Sequence, residues 1–275
     1  MTHKSTGYLE LDDGKLYYEM AGAGEALVLS HAGFVDSGMW DDQWHDFTQR
    51  YRVIRYDMRG FGKSDPVTGP RARRNDLYRL LKHLDIERAH LLGCSQGGEI
   101  ILDLALEHPD MVDALIIVSA VPGGFELQGE PPPQLLEMIG AVQQGDLERA
   151  SELQIRLWID GPFRQPEQVD RRVRQRAAAM NRLPVTQNTW AIADMQPLNP
   201  LDPPAAQRLH EIQVPTLIVA GALDNPEILR AADVMTAGIE SAQKAVIPDS
   251  AHLPNMEQPA LFNQTVNDFL ATLSA

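Results

Sequence analysis

The sequence predicts an α/β fold, a mostly parallel eight-stranded sheet flanked by helices, and three observations predict it. Six short apolar runs, most of them rich in β-branched residues, recur along the 275-residue chain: ALVLSH (26–31), YRVIRYD (51–57), HLLGCS (90–95), ALIIVSA (114–120), TLIVAG (216–221) and KAVIPD (244–249). Runs without alternation suit strands buried on both faces. Stretches of helical periodicity separate them, and strands alternating with helices lie parallel in one sheet. The third observation is an exception: from 122 to 212, helix-like stretches and proline-rich joints follow one another with no convincing strand.

In order, the chain opens with YLELDD and KLYYEM, a hairpin around Asp13-Gly14, a dipeptide suited to a tight two-residue turn. ALVLSH and YRVIRYD are strands three and four, with the helix MWDDQWHDFTQ (39–49) between them. RRNDLYRLLKHLD (73–85) is the helix leading to HLLGCS, and QGGEIILDLALEH (96–108) the helix leading to ALIIVSA, the sixth strand. A helical cap, 122–212, is inserted there, punctuated by PPP (131–133) and NPLDPP (199–204). TLIVAG and KAVIPD resume the sheet around the helix PEILRAADVMTAG (226–238), and MEQPALFNQTVNDFLATL (256–273) ends it. The cap thus divides a core of two parts, 1–121 and 213–275.

Composition excludes several classes. With 44% hydrophobic and 23% charged residues the chain is an ordinary globular protein. A net charge of −14 repels phosphate backbones, and the basic clusters RARR (71–74) and RRVRQR (171–176) lie in helical patterns beside acidic residues, as solvated helix faces do. No nucleic acid partner is expected. No apolar run reaches the roughly 18 to 20 residues of a bilayer span, and MTHKSTGYLELDDGK lacks the apolar centre of a leader, so no membrane partner is expected either. The single cysteine, Cys94, allows no internal disulfide and no multi-cysteine metal site. The expectation is a cytoplasmic monomer or homodimer with no metal and no cofactor.

Gly93-Cys94-Ser95-Gln96-Gly97 fits G-x-S-x-G between a strand and a helix. Either the glycines serve a tight structural turn, or the turn is a nucleophile elbow that holds a strained serine out at the carboxyl end of the sheet. A serine hydroxyl needs a base, and the base needs a carboxylate to fix its tautomer, so the partners decide. Asp224, in GALDNP, and His252, in PDSAHLPNMEQP, both follow strands and so reach the edge that carries Ser95. Asp249 is nearer to the histidine in sequence, but it ends its own strand, where a carboxylate bonds local backbone; Glu126, beyond the sixth strand, is a third choice. His45, His83, His108 and His210 belong to helices or joints. His31 organises a loop, LSHAGFVDSGMW, whose backbone N–H, of Gly33 first and Phe34 second, can join that of Gln96 around a developing oxyanion. Cys94 points into packed surroundings as a small apolar group.

The segments LSHAGFVDSGMW, YRVIRYDMRGFGKSD, DLYRLLKHLDIERAHLLGCSQGGEI, VPTLIVAGALDNP and IPDSAHLPNMEQP, in this order and spacing, resemble the α/β-hydrolases over the whole chain. The likeness is to the small capped branch of serine esterases, enol-lactonases and C–C bond hydrolases. It implies the α/β-hydrolase fold with a cap after strand six, and the chain order nucleophile, acid, histidine: Ser95, Asp224 and His252. It also implies that Asp57 and Asp65 belong to a shared structural turn. Ala32, where glycine is frequent, and Cys94, where histidine is frequent, are departures that bear on specificity. The expected activity is hydrolysis of carboxylic esters or lactones of small neutral substrates through an acyl-enzyme. The alternatives are a C–C bond hydrolase of ring-cleavage products, with Arg156, Arg164 or Arg182 holding the substrate carboxylate, a perhydrolase, and a ligand receptor built on a hydrolase scaffold. Phe34, Trp158 and Trp190 are the expected pocket residues, with core packing the alternative role of aromatics at helical spacing.

Overall fold

Eight strands form a single sheet in the computed structural model, which describes residues 4–273. The start of the N-terminal stretch read for a leader, residues 1–3, lies outside them. The strands are β1 (Ser5–Leu11), β2 (Gly14–Ala21), β3 (Ala26–Ser30), β4 (Arg52–Tyr56), β5 (Ala89–Cys94), β6 (Val112–Val118), β7 (Thr216–Gly221) and β8 (Ala242–Ile247), in the spatial order β1-β2-β4-β3-β5-β6-β7-β8. β2 runs antiparallel to both its neighbours, and the six strands from β4 to β8 in that order are parallel.

Alternate residues of the central strands feed two cores, as the strand period of two requires. Val28, Leu91 and Ile117 pack with α2 (Arg73–His83), α3 (Gln96–Glu107) and α7 (Pro226–Gly238). Leu29, Leu92 and Val118 pack with α1 (Asp41–Phe47), through Phe47, and with α9 (Pro259–Ala271), through Phe262 and Val266. Both faces are covered, which is why β5 and β7 read as unbroken apolar runs.

Three local expectations are corrected. Leu11 pairs with Gly14, so the hairpin loop is Asp12-Asp13, one residue earlier than expected. Asp13 is held there by the guanidinium groups of Arg59 and Arg71. The C-terminal segment is two helices, α8 (Pro254–Glu257) and α9, because Pro259 lacks the N–H to continue one and starts the next. The cluster at 71–74 is no solvated face: Arg71, Arg73 and Arg74 are buried and paired with Asp13, Asp194 and Glu107. The second cluster keeps Arg171 and Arg172 exposed on the face of α6, while the partly buried Arg174 and Arg176 pair with Asp160 and Asp42.

Between β6 and β7 the chain forms α4 (Pro133–Gln143), α5 (Leu147–Ile155) and α6 (Arg171–Thr186), with a tight turn through Gly145 between the first two and two short helical turns between the second and third. Met138, Ala141, Ala150, Leu153 and Val185 give this insertion a small core of its own. Its two ends meet, for Ala206 N–H donates to the Gly123 carbonyl at 2.9 Å.

Candidate active site

Ser95 stands between β5 and α3 with φ 53° and ψ −118°, a left-handed conformation that costs a non-glycine residue about 1–3 kcal/mol. Its neighbours must be glycine. A Cβ on Gly93 would lie 2.2 Å from the Gly97 carbonyl oxygen, and one on Gly97 would lie 2.3 Å from that of Ser30. Ser95 N–H donates to Val118 O at 2.8 Å, which ties the elbow to β6. The side chain before it, Cys94, is fully buried with Sγ 3.6 Å from the His252 carbonyl, and burial, then the charge of Asp224, holds its thiol well above the ordinary range.

Asp224 and His252 arrive from the loops after β7 and β8. Ala222 N–H donates to Ile247 O at 2.9 Å and Leu223 N–H to Ser250 O at 2.8 Å, so the two loops are laced together. His252 Nδ1 lies 2.9 and 3.1 Å from the two Asp224 carboxylate oxygens, and both residues are buried. A carboxylate only accepts, so the proton is on Nδ1. Nε2 is buried and has no partner among the described residues. Asp249 sits in the exposed turn after β8 with φ 52°, and Glu126 is exposed; neither bonds His252.

The insertion packs onto the histidine. His252 N–H donates to Trp158 O at 3.4 Å, the Trp158 and His252 rings are 4.5 Å apart, and Phe34 lies 6.2 Å from Trp158 and 6.3 Å from His252. Trp190 is apart from this stack and 42% exposed. Arg164 donates to Ile159 O at 2.7 Å and pairs at 2.7 Å with Glu257, which accepts Ala251 N–H at 2.7 Å. It braces the histidine loop and is no clamp for a substrate. Arg156 and Arg182 lie along the outer groove between α5 and α6.

The loop after β3 is fixed from both sides. Met58 N–H donates to His31 Nε2 at 2.9 Å, so Nδ1 carries the proton and donates to Ala32 O at 2.8 Å. Burial takes the imidazole down to about 4 and keeps it neutral. Clamping Ala32 O fixes the Gly33 N–H of the same planar peptide, which points the opposite way. The N–H groups of Gly33, Phe34 and Gln96 meet no protein acceptor among the described residues. From α6, Asn181 Nδ2 donates to Phe34 O at 2.8 Å and to Gln154 at 2.6 Å, while its Oδ1 accepts from Ser151 at 2.7 Å. Asn181 was not singled out from the sequence, although a signal exists: it interrupts the apolar stripe Ala177, Asn181, Val185 at four-residue spacing.

A cavity of about 250 Å³ is lined by Gln96, Glu99 and Asp103 of α3 together with Arg73 and Asp194.

The family model of the alpha/beta hydrolase fold matches residues 25–259. The 2-hydroxy-6-oxo-6-phenylhexa-2,4-dienoate hydrolase of Comamonas testosteroni is 28% identical over 95% of this chain and 93% of its own. The 3-oxoadipate enol-lactonase 1 of Acinetobacter baylyi is 26% identical, with 90% and 89% covered. A solved structure of Est816, described as an N-acyl homoserine lactone degrading enzyme, matches at TM-score 0.80 and 27% identity over 96% of this chain and 100% of that one. Because the match runs from β3 to the start of α9 and takes in the elbow and both loops beside it, the chain belongs to the α/β-hydrolase family, whose members similar to it are hydrolases.

Proposed function

We propose that this chain hydrolyses carboxylic esters or lactones of small neutral substrates, with Ser95 as nucleophile, His252 as general base and then acid, and Asp224 as the group that orients the histidine. The observation that carries the reading is the buried Asp224–His252 pair, whose Nε2 is left without a partner beside a strained serine elbow. With Nδ1–H committed to Asp224, the Nε2 lone pair is free to take the Ser95 hydroxyl proton as oxygen attacks the carbonyl carbon. The oxyanion that forms is met by the Gln96 N–H and by that of Gly33, or of Phe34 beside it. His252 returns the proton to the departing alcohol oxygen, and water repeats the sequence to free the acid and the serine. Phe34, from the loop after β3, and Trp158, from the helical cap, residues 122–212, cover the histidine and keep bulk water from it.

The charge distribution supports neutral substrates. Arg71, Arg73 and Arg74, the guanidinium groups nearest the Gln96 cavity, each have a carboxylate partner, so no spare cation waits there for an anionic substrate. A second reading, C–C bond hydrolysis, is supported by the Comamonas relative. It uses the same triad but turns over substrates that carry carboxylates.

Two measurements test the reading. A fluorophosphonate should leave its adduct on the Ser95 peptide, and Ser95→Ala should lose several orders of magnitude in kcat. Labelling at Cys94, or full activity of the alanine variant, would sink it. Turnover of a vinylogous diketone in preference to every ester and lactone of a matched panel would select the second reading.

A further inference from the structure

When His252 takes the serine proton it becomes a cation where water does not reach, for the residue is 1% exposed. In the plane of the ring, Nδ1–H faces Asp224 at 2.9 Å and Nε2 has no partner among the described residues. One face of the ring is taken by the indole of Trp158, with ring centres 4.5 Å apart and planes inclined by 33°. Two rings so close and so nearly parallel meet face to face, because side by side their edges would collide. Phe34 is farther off, at 6.3 Å. The remaining ionisable groups around the histidine are engaged or neutral. Glu257 is bonded by Arg164 and by the Ala251 N–H, each at 2.7 Å, and Asp160 is paired with Arg174 at 2.7 Å. Cys94, 3.6 Å from the His252 carbonyl, is kept a thiol by burial and by the charge of Asp224.

The turn that carries Trp158 is built against both catalytic loops. Arg156–Asp160 form a wide helical turn, which Gly161 N–H closes by donating five residues back to Arg156 O at 3.2 Å. Gly161 itself has φ 73°, and a Cβ there would lie 2.9 Å from Leu223 O and 3.1 Å from Ala251 Cβ, so the turn ends pressed on the loops of Asp224 and His252 at once. Arg164 fastens it, donating to Asp160 O at 3.0 Å and Ile159 O at 2.7 Å. The Trp158 carbonyl accepts the His252 N–H, so one residue holds the main chain of the histidine and lies on its ring.

We propose that Trp158 is a positioning residue for the charge on His252: its electron-rich face stabilises the imidazolium that forms when Ser95 gives up its proton, and so makes Nε2 a stronger base. The inference rests on the hydrolase reading above. Asp224 balances the cation from the edge of the ring and Trp158 from its face, in surroundings where water screens neither. The cap thereby supplies part of the base.

The test keeps the shape of the indole and changes only its electrons. Tryptophans bearing one to four ring fluorines are placed at position 158 alone, each fluorine drawing charge from the face. Two midpoints are read: the acid limb of kcat/KM for phenyl acetate, which reports the base of the free enzyme, and the NMR titration of His252 in protein with isotope-labelled histidine, assigned by its absence in His252→Gln. A cation that is less stabilised loses its proton at lower pH, so both midpoints should move down stepwise with each fluorine, by about one pH unit over the series. Plateau kcat should fall about threefold or more while KM holds. Trp158→Phe, with a weaker face, should move both midpoints the same way. Midpoints that stay fixed across the series, or that rise, would overturn the inference and leave Trp158 as a cover over the histidine. If wild-type protein hydrolyses no ester or lactone, the hydrolase reading itself fails, and the NMR midpoint, which needs no turnover, still decides whether the indole carries charge for the ring.

Discussion

At the scale of single residues, the acid is the sharpest assignment to test. Asp224→Asn should keep the fold and lose on the order of 10²- to 10⁴-fold in kcat, because an amide can support the wrong tautomer of His252 and cannot balance the imidazolium. Asp249→Asn should leave kcat and melting temperature close to wild type, since its carboxylate is exposed and touches neither the histidine nor the loop backbone. Loss of turnover in a folded Asp249→Asn protein would reverse the assignment. Ser95, Asp224 and His252 could be proposed together from the sequence because each follows an apolar run, and parallel strands deliver such positions to one edge of a sheet. Asn181, Glu257 and the bracing role of Arg164 were not legible. Their partners include backbone atoms, Phe34 O, Ala251 N and Ile159 O, and no spacing in the sequence announces a backbone partner.

At the scale of elements, α3 carries a pH dependence. Glu99 is raised from 4.5 to about 7 and Asp103 from 3.8 to about 6, by burial first. Between those limits the folded chain holds more protons than the unfolded one, so these two groups withdraw stability as pH rises from about 4 through 7. Melting temperature against pH should therefore fall less steeply over that window in Glu99→Gln than in wild type; parallel curves would mean that Glu99 ionises freely in the folded state. Glu19 on β2 acts in the opposite sense. Its carboxyl is held down at about 2 by hydrogen bonds from Tyr17, Lys4 and Arg55 that outweigh its burial, and the stability it gives is lost as pH falls from 4.5 toward 2.

The helix α6 joins stability to catalysis. Asn181→Ala strands Phe34 O, Ser151 Oγ and Gln154, so it should cost about 1–3 kcal/mol, and a loosened oxyanion loop should lower kcat more than it raises KM. Equal loss in both constants would confine Asn181 to packing. The elements themselves were largely legible, since α7 begins at Pro226 and ends at Gly238 as its pattern indicates. The hairpin register and the break before α9 were less so, because they turn on one residue of pairing and one proline. The basic run at 71–74 was misread for a clearer reason. Arg71 pairs with Asp13 and Arg73 with Asp194, and a local window cannot see a partner so far along the chain.

At the scale of the whole molecule, the excess of acidic groups acts on whatever approaches. With a net charge of −14, neutral short-chain esters should be hydrolysed faster than matched esters bearing a free carboxylate, and added salt should narrow the difference by screening the repulsion. A strong preference for the anionic ester, unaffected by salt, would place a cation in the pocket and favour C–C bond hydrolysis.

The hydrogen bond between Gly123 and Ala206 has a consequence of another kind. The chain leaves the sheet and comes back to it at one point, so the insertion hangs from a neck whose two sides already touch. A graft made between those two residues leaves the strand order alone, but it must rebuild the contacts by which the insertion grips the core: Trp158 O on the His252 N–H, Asn181 on Phe34 O and Arg164 on Glu257. At this neck the seam between insertion and sheet is as short as the chain allows, a single hydrogen bond wide.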